Sequence, residues 1–228
     1  MHIAFRLFDN PPIKIFADEN DHQGFDGGLA VVNGFRSEYY IRSTPEKCQS
    51  VGVMLKPEAF PSLFRYHADE LAHRHTQLGD IWSGVDLIVE RLSEASAESR
   101  LETLQQILVE RLSGSEEVRP MIKFAVAEIR RGGKSIRDIV RRTGYSHRRF
   151  NELFRRSIGV NPKTFSGIHR FQTLLGQLSD SSESLSVLAL RAGYSDQAHM
   201  TREFRRFSGV SPGEYLRRER RDPFTMSM

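Results

Sequence analysis

Apolar residues change their spacing near Pro57, and with it the kind of element they predict. Before that point they fall in short clusters: Leu29-Ala30-Val31-Val32, Tyr39-Tyr40-Ile41 and Val51-Gly52-Val53-Met54-Leu55. Turn signals separate them, namely Asn10-Pro11-Pro12, Asp26-Gly27-Gly28, Asn33-Gly34 and Thr44-Pro45. Runs of that length bounded by Gly, Pro and Asn read as short strands. Beyond Pro57 the period is helical. Pro57 suits a first helical turn and is followed by Ala59, Phe60, Leu63 and Phe64 on one side. A second helix is predicted from about Asp80 to Leu92, on Ile81, Val85, Ile88, Val89 and Leu92. A third is predicted from about Ala97 to Leu112, on Leu101, Leu104, Leu108 and Leu112, with Ser96 and Ser99 as candidate caps. Ser113-Gly114-Ser115 interrupts the pattern, and a domain boundary is placed there.

From residue 118 onward the chain reads as helical and repeats itself. Ser135-Ile136 matches Ser184-Leu185, and Gly144-Tyr145-Ser146 matches Gly193-Tyr194-Ser195, both at a spacing of 49 residues. Phe154-Arg155-Arg156 matches Phe204-Arg205-Arg206, Gly159-Val160 matches Gly209-Val210, and Pro162 matches Pro212, all at a spacing of 50. The second copy therefore carries one extra residue near the start of its last helix. In the first copy Ser135 caps a helix with Ile136, Ile139 and Val140 on one face, which stops at Gly144, where a left-handed residue costs little. Ser146 caps the next, with Phe150, Leu153 and Phe154 inward. The second copy follows with Leu185, Leu188 and the small Ala189, a stop at Gly193, and then Met200, Phe204 and Phe207 inward. Two short amphipathic helices about a glycine turn form a helix-turn-helix, whose second helix can enter a major groove.

With those faces buried, the first recognition helix turns His147, Arg148, Asn151, Glu152 and Arg155 outward. The second turns out Gln197, Ala198, Thr201, Arg202 and Arg205. Arg pairs bidentately with guanine, Asn and Gln with adenine, Glu accepts from cytosine, and Ala or a Thr methyl meets thymine. One such helix alone is no more than a polar surface; two in one module point to base reading. Between them, Pro162 to about Leu178 reads as one helix of 17 residues, about 25 Å at 1.5 Å per residue. Such a connector could set two probes in successive groove segments about 34 Å apart.

Composition changes this picture little, but charge sharpens it. The chain is 39% hydrophobic and 27% charged, ordinary for a globular protein. Its net charge of +4 divides into −8 over residues 1–117 and +12 over residues 118–228. An acidic half joined to a basic one fits a nucleic-acid-binding module with an attachment. No apolar run reaches the roughly 18–20 residues of a membrane helix, and no secretory signal opens the chain, so a cytoplasmic location is expected.

Residues 118–220 resemble the DNA-binding domain of the AraC/XylS family of transcription regulators. The resemblance rests on Ala189-Leu190-Arg191-Ala192-Gly193-Tyr194-Ser195-Asp196-Gln197-Ala198-His199-Met200-Thr201-Arg202-Glu203-Phe204 and on Gly209-Val210-Ser211-Pro212-Gly213-Glu214-Tyr215. The first unit is looser, with Val140 where the family usually has Ala and Phe150 where it has Leu. The resemblance implies base contacts from Arg148, Asn151 and Glu152 and from Gln197, Ala198, Thr201 and Arg202. Backbone contacts are expected from His147, Arg149, Arg155, Arg205 and Arg206. Members commonly carry a β-barrel sensor ahead of this module, and the stretch from Val51 to Pro57, with Leu78 to Gly84, resembles the end of one.

The expected fold is thus a mainly α C-terminal domain of two helix-turn-helix units joined by a linker helix. Before it is expected an α+β domain of short strands followed by helices. The expected organisation is an N-terminal sensor or interaction domain over 1–112 (strands to 55, helices from 57), a linker at 113–117, the DNA-binding domain over 118–220 and a tail over 221–228. Only about 55 residues precede the first helices, against around eight strands for a closed barrel, so the barrel is incomplete or the start of the chain is missing.

Double-stranded DNA is the expected partner. RNA polymerase enters by family analogy, and a small-molecule effector and a homodimer formed through the N-terminal domain stay open. No cofactor, metal or enzymatic activity is expected. His67, His73 and His75 lack ligand spacing, and Cys48, the single cysteine, reads as a small apolar residue. A DNA-repair methyl acceptor on the same module needs several cysteines, and no nucleophile elbow or phosphate loop appears. Trp82 reads as a core anchor, and the leucine stripe as core or as a dimerising face. The two surviving functions are a sequence-specific regulator, activator by analogy, and an architectural protein that binds DNA without reading it.

Overall fold

The computed structural model describes residues 1–8, 10–43, 48–64, 66–112, 119–178 and 183–219. The predicted turn at Thr44-Pro45, the linker at 113–117 and the tail at 221–228 lie outside the described residues. Among the described residues the N-terminal half holds seven short strands: β1 His2–Arg6, β2 Lys14–Phe16, β3 Phe25–Asp26, β4 Ala30–Asn33, β5 Ile41–Arg42, β6 Ser50–Met54 and β7 His75–Gln77. They form two sheets, of order β6-β1-β4-β7 and β3-β2-β5, every pairing antiparallel.

Side chains alternate across a strand, so the larger sheet has two different faces. Ile3, Phe5, Ala30, Val32 and Val51 join the main core with Phe60, Leu78, Trp82 and Leu92. Ala4 and Val31 point the other way and close against Ile13 and Ile15 of the smaller sheet. On that second face the register sets His2 opposite Asn33, and Asn33 opposite His75. The Asn33 side chain bridges the two rings, at 2.9 Å from His2 Nε2 and 2.5 Å from His75 Nδ1. Burial above all lowers both imidazoles to about 4, aided by the amino terminus and Arg42 at His2 and by Arg36 at His75.

The helical part begins with α1 Phe60–Leu63, α2 Val85–Glu94 and α3 Arg100–Leu112. Each starts later than the periodicity predicts. Gly84, left-handed at φ 80°, sets the start of α2, so Ile81 lies in the preceding turn rather than in the helix. The leucine stripe of α3 splits: Leu104 and Ile107 face inward, whereas Leu101 is 67% exposed and Leu112 is also exposed. His75 sits in a strand, and His73 takes a left-handed backbone at φ 59°, so neither belongs to a helix. Trp82 is buried, with Phe64 against its edge and the Arg111 guanidinium 4.9 Å from its ring. Cys48 accepts a hydrogen bond from the buried Arg6 guanidinium at 2.6 Å, a polar role its isolation in the sequence did not suggest.

The C-terminal half is all helix: α4 Pro120–Arg131, α5 Ile136–Thr143, α6 His147–Ile158, α7 Pro162–Leu178, α8 Leu185–Arg191, α9 Gln197–Ser208 and α10 Pro212–Glu219. Hydrophobic packing does not stop between the halves. The main cluster continues through Ile122, Val126, Phe154 and Phe165, and Phe35 of the N-terminal half meets Phe165 edge-on at 5.7 Å. Among the described residues no helix is long and apolar enough to cross a membrane.

Candidate nucleic-acid interface

The first unit is built by the local chemistry that the repeat implies, whereas in the second Ser184 makes no side-chain cap bond to α8. The Ser135 hydroxyl accepts from the Asp138 amide at 3.1 Å and starts α5, which ends at Gly144, left-handed at φ 75°. The Ser146 hydroxyl then accepts from the Arg149 amide at 3.3 Å and starts α6. In the second unit the cap is Asp196, whose carboxylate accepts from the His199 amide at 2.7 Å, so the extra residue falls in the turn before α9. That amide bond is the chief reason the Asp196 carboxyl lies below its ordinary range, and an anion at a helix N-terminus is favoured.

The capped helices bury one face each. Phe150, Leu153, Phe154 and Ile158 lie inward from α6, and Met200, Phe204 and Phe207 from α9. The opposite face of α6 leaves His147, Arg148, Arg149, Asn151, Arg155 and Arg156 exposed, with Glu152 half-exposed. On α9 Gln197, Ala198, Arg202, Arg205 and Arg206 are exposed, and Thr201 is half-buried with its hydroxyl donating to the Gln197 carbonyl at 2.9 Å. Each predicted contact residue therefore stands on a solvent-facing side of its helix. Helix α7 runs between the two units over the 17 residues expected.

Electrostatics grade these side chains. Arg149 and Arg156 flank Glu152 at 2.9 and 3.3 Å, and the Arg149 bond in particular holds the Glu152 carboxyl below its usual range. Among the described residues neither Arg148 nor Arg202 forms an ion pair, which leaves both guanidinium forks open to a base edge or a phosphate. Arg155 is different: its guanidinium lies 3.2 Å from the Asp69 carboxylate, across a separation of 86 residues. Asp69 and Arg155, with Arg148, Asn151, Glu152 and Arg156, line a shallow groove of about 420 Å³.

Two features of the site have no signal in the pattern of the sequence. One is the docking of Asp69 on α6, a long-range contact from a turn of ordinary composition. The other is a half-buried network behind α9. Arg170 of α7 donates to Glu203 at 2.8 Å and to Ser166 at 3.3 Å, and its guanidinium lies 5.2 Å from the Tyr194 ring. Burial pushes the Tyr194 hydroxyl well above the ordinary phenol range.

The fold and this surface define a double helix-turn-helix protein. Residues 139–218 match the family described as "Helix-turn-helix domain". An uncharacterized HTH-type transcriptional regulator of Haemophilus influenzae is 31% identical over 70 residues, which is 31% of this chain and 24% of that protein. The match thus spans about a quarter of the length of that curated relative. ToxT from Vibrio cholerae shares the fold over 94% of this chain and 88% of its own, with a TM-score of 0.54 at 11% identity. A probable AraC family transcriptional regulator from Rhodopseudomonas palustris is 28% identical over 44% of this chain and 97% of its own, with a TM-score of 0.40.

Proposed function

We propose that this chain is a DNA-binding transcription regulator that reads two adjacent major-groove segments with α6 and α9. The observation that carries the reading is the duplicated geometry: two capped helices, in units joined by α7, each bury an aromatic face and turn a polar one outward. Base edges are read by Arg148, Asn151 and Glu152 from α6 and by Gln197, Ala198, Thr201 and Arg202 from α9. His147, Arg149, Arg155, Arg205 and Arg206 contact phosphates, and the basic charge of residues 118–228 supplies the salt-dependent part of the affinity. Residues 118–220 form the DNA-binding domain and residues 1–112 an interaction domain. The exposed Leu101 and Leu112 of α3 offer that domain an apolar face for a second copy of the chain. The protein works in the cytoplasm as an activator, by analogy with the AraC/XylS family.

Selection of bound fragments from random duplex DNA should return a motif about two helical turns long. Arg202→Ala should then weaken binding to that motif by about 1–3 kcal/mol and leave random duplex nearly untouched. Equal losses on both DNAs, or selection that returns no motif, would favour the architectural protein instead.

A further inference from the structure

Resting on the DNA-binding reading, we propose that Asp69 regulates the first recognition helix by acting as an internal counter-anion that occupies Arg155 in place of a DNA phosphate. A carboxylate and a phosphodiester offer a guanidinium the same fork of anionic oxygens, so the two compete for one partner. Asp69 is held where it can compete. It sits in a one-turn 3-10 helix, Ala68–Glu70, whose own start is closed by Glu70 accepting from the His67 amide at 2.9 Å. Ala68 beside it is fully buried, and its carbonyl oxygen seats on Gly159, where a Cβ would come within 2.9 Å. The turn therefore touches α6 at Arg155 and at the glycine that ends it, one helical turn apart.

The second unit supplies an internal control. Arg205 stands 50 residues after Arg155 at the matching place in the repeat. Its nearest carboxylate, Glu214, is 3.9 Å away and belongs to the same module, where it already accepts from the Ser211 amide and hydroxyl at 2.7 and 2.6 Å. Arg155 instead meets a carboxylate from the acidic half of the chain, at 3.2 Å. The Asp69 side chain is only 22% exposed while that of Arg155 is 60% exposed, so the arginine is the partner that incoming DNA can reach. DNA approaching α6 has to draw Arg155 off Asp69 and bring a phosphate close to the carboxylate that remains, whereas the carboxylates beside Arg205 and Arg206 on α9, Glu214 and Glu203, belong to the module itself.

The test compares the full chain with Asp69→Asn, Arg155→Ala and the double variant, on a selected duplex and on random duplex, over a series of salt concentrations. Asp69→Asn should tighten binding about threefold or more and steepen log K against log salt by up to about 0.9, as the Arg155 phosphate contact, made only in part against Asp69, is made in full. In the Arg155→Ala background the same change should leave the salt slope where it was. Asp69→Ala, read beside thermal unfolding, should reproduce the gain with near-parental stability. Unchanged or weaker binding by both neutral variants would overturn the proposal, as would an equal steepening without Arg155. If the parent chain binds no duplex at any salt, the DNA-binding reading itself fails and takes the proposal with it.

Discussion

The two helix-turn-helix units are copies of one plan whose recognition helices are held by different chemistry. Fifty residues apart, Leu153 and Glu203 occupy the same place on α6 and α9; the first is buried among apolar side chains, and the second pairs with Arg170. Tyr145 is 42% exposed, yet its counterpart Tyr194 is 3% exposed, because the extra residue of the second turn lets the ring fold in beside Arg170 and His199. The first unit leans on the N-terminal half through Ala68, Asp69 and the Phe35–Phe165 contact. The second is stiffened mainly from within, by a polar network on α7. Duplication thus fixed the shape of the probe and left its support free to diverge, so one probe is open to influence from the other half of the chain.

The largest effects should come from the two aromatic cores. Phe154→Ala and Phe204→Ala should each cost about 3–5 kcal/mol, since both rings are fully buried. Their reach should differ. Phe154 stacks near Phe150 and Phe165, and Phe165 meets Phe35; Phe204 meets Phe171 and Tyr215, both within the C-terminal half. Hydrogen exchange should show Phe154→Ala loosening β4 and the turn that follows it, and Phe204→Ala loosening only α7 to α10. The same segments loosened in both variants would erase the distinction. A smaller effect is expected at Glu203→Gln, where leaving Arg170 without its carboxylate should cost about 1–3 kcal/mol. Footprinting on a selected site should then lose protection in the half read by α9 while the α6 half persists. Uniform weakening across the site would mean that the network supports the whole module rather than one probe.

What could be read from the sequence follows the range of the interactions. Caps at Ser135 and Ser146, stops at Gly144 and Gly193, and the inward rings of α6 and α9 are set by neighbours within a few residues, and all are legible. The N-terminal half was harder because its strands are two to five residues long and pair across distant turns. β1, β2, β3 and β7 are of this kind, and the last lies beyond Pro57, in the stretch whose apolar spacing is helical. In α3 the spacing of Leu101, Leu104, Leu108 and Leu112 suggested one face, but Ile107 competes for the core and turns Leu101 outward. For the recognition surface the residues were legible and their partners were not. Nothing in the spacing of Asp69 or Arg170 foretells Arg155 or Glu203, because those pairs form only once the helices have packed.

The finest separation lies at the ends of the recognition helices. Gly159 and Gly209 close α6 and α9 at φ 101° and 77°, a region where any Cβ is strained. Each also receives a piece of the N-terminal half. A Cβ at Gly159 would meet the Ala68 carbonyl oxygen at 2.9 Å, and one at Gly209 the Tyr39 ring at the same distance. The obstacles are unequal, since a carbonyl in a docked 3-10 turn cannot swing aside and a tyrosine side chain can turn about its χ angles. Gly159→Ala should therefore cost about 2 kcal/mol and Gly209→Ala about 1 kcal/mol, the shared part being the left-handed backbone. Denaturant midpoints at unchanged m-value would measure the difference. Gly159→Ala should also loosen the grip of the Ala68 turn, and so bring DNA affinity part of the way toward that of Asp69→Asn. Equal losses of stability with unchanged affinity would show the turn to be a passive neighbour of α6, and the two probes to be more alike than their surroundings suggest.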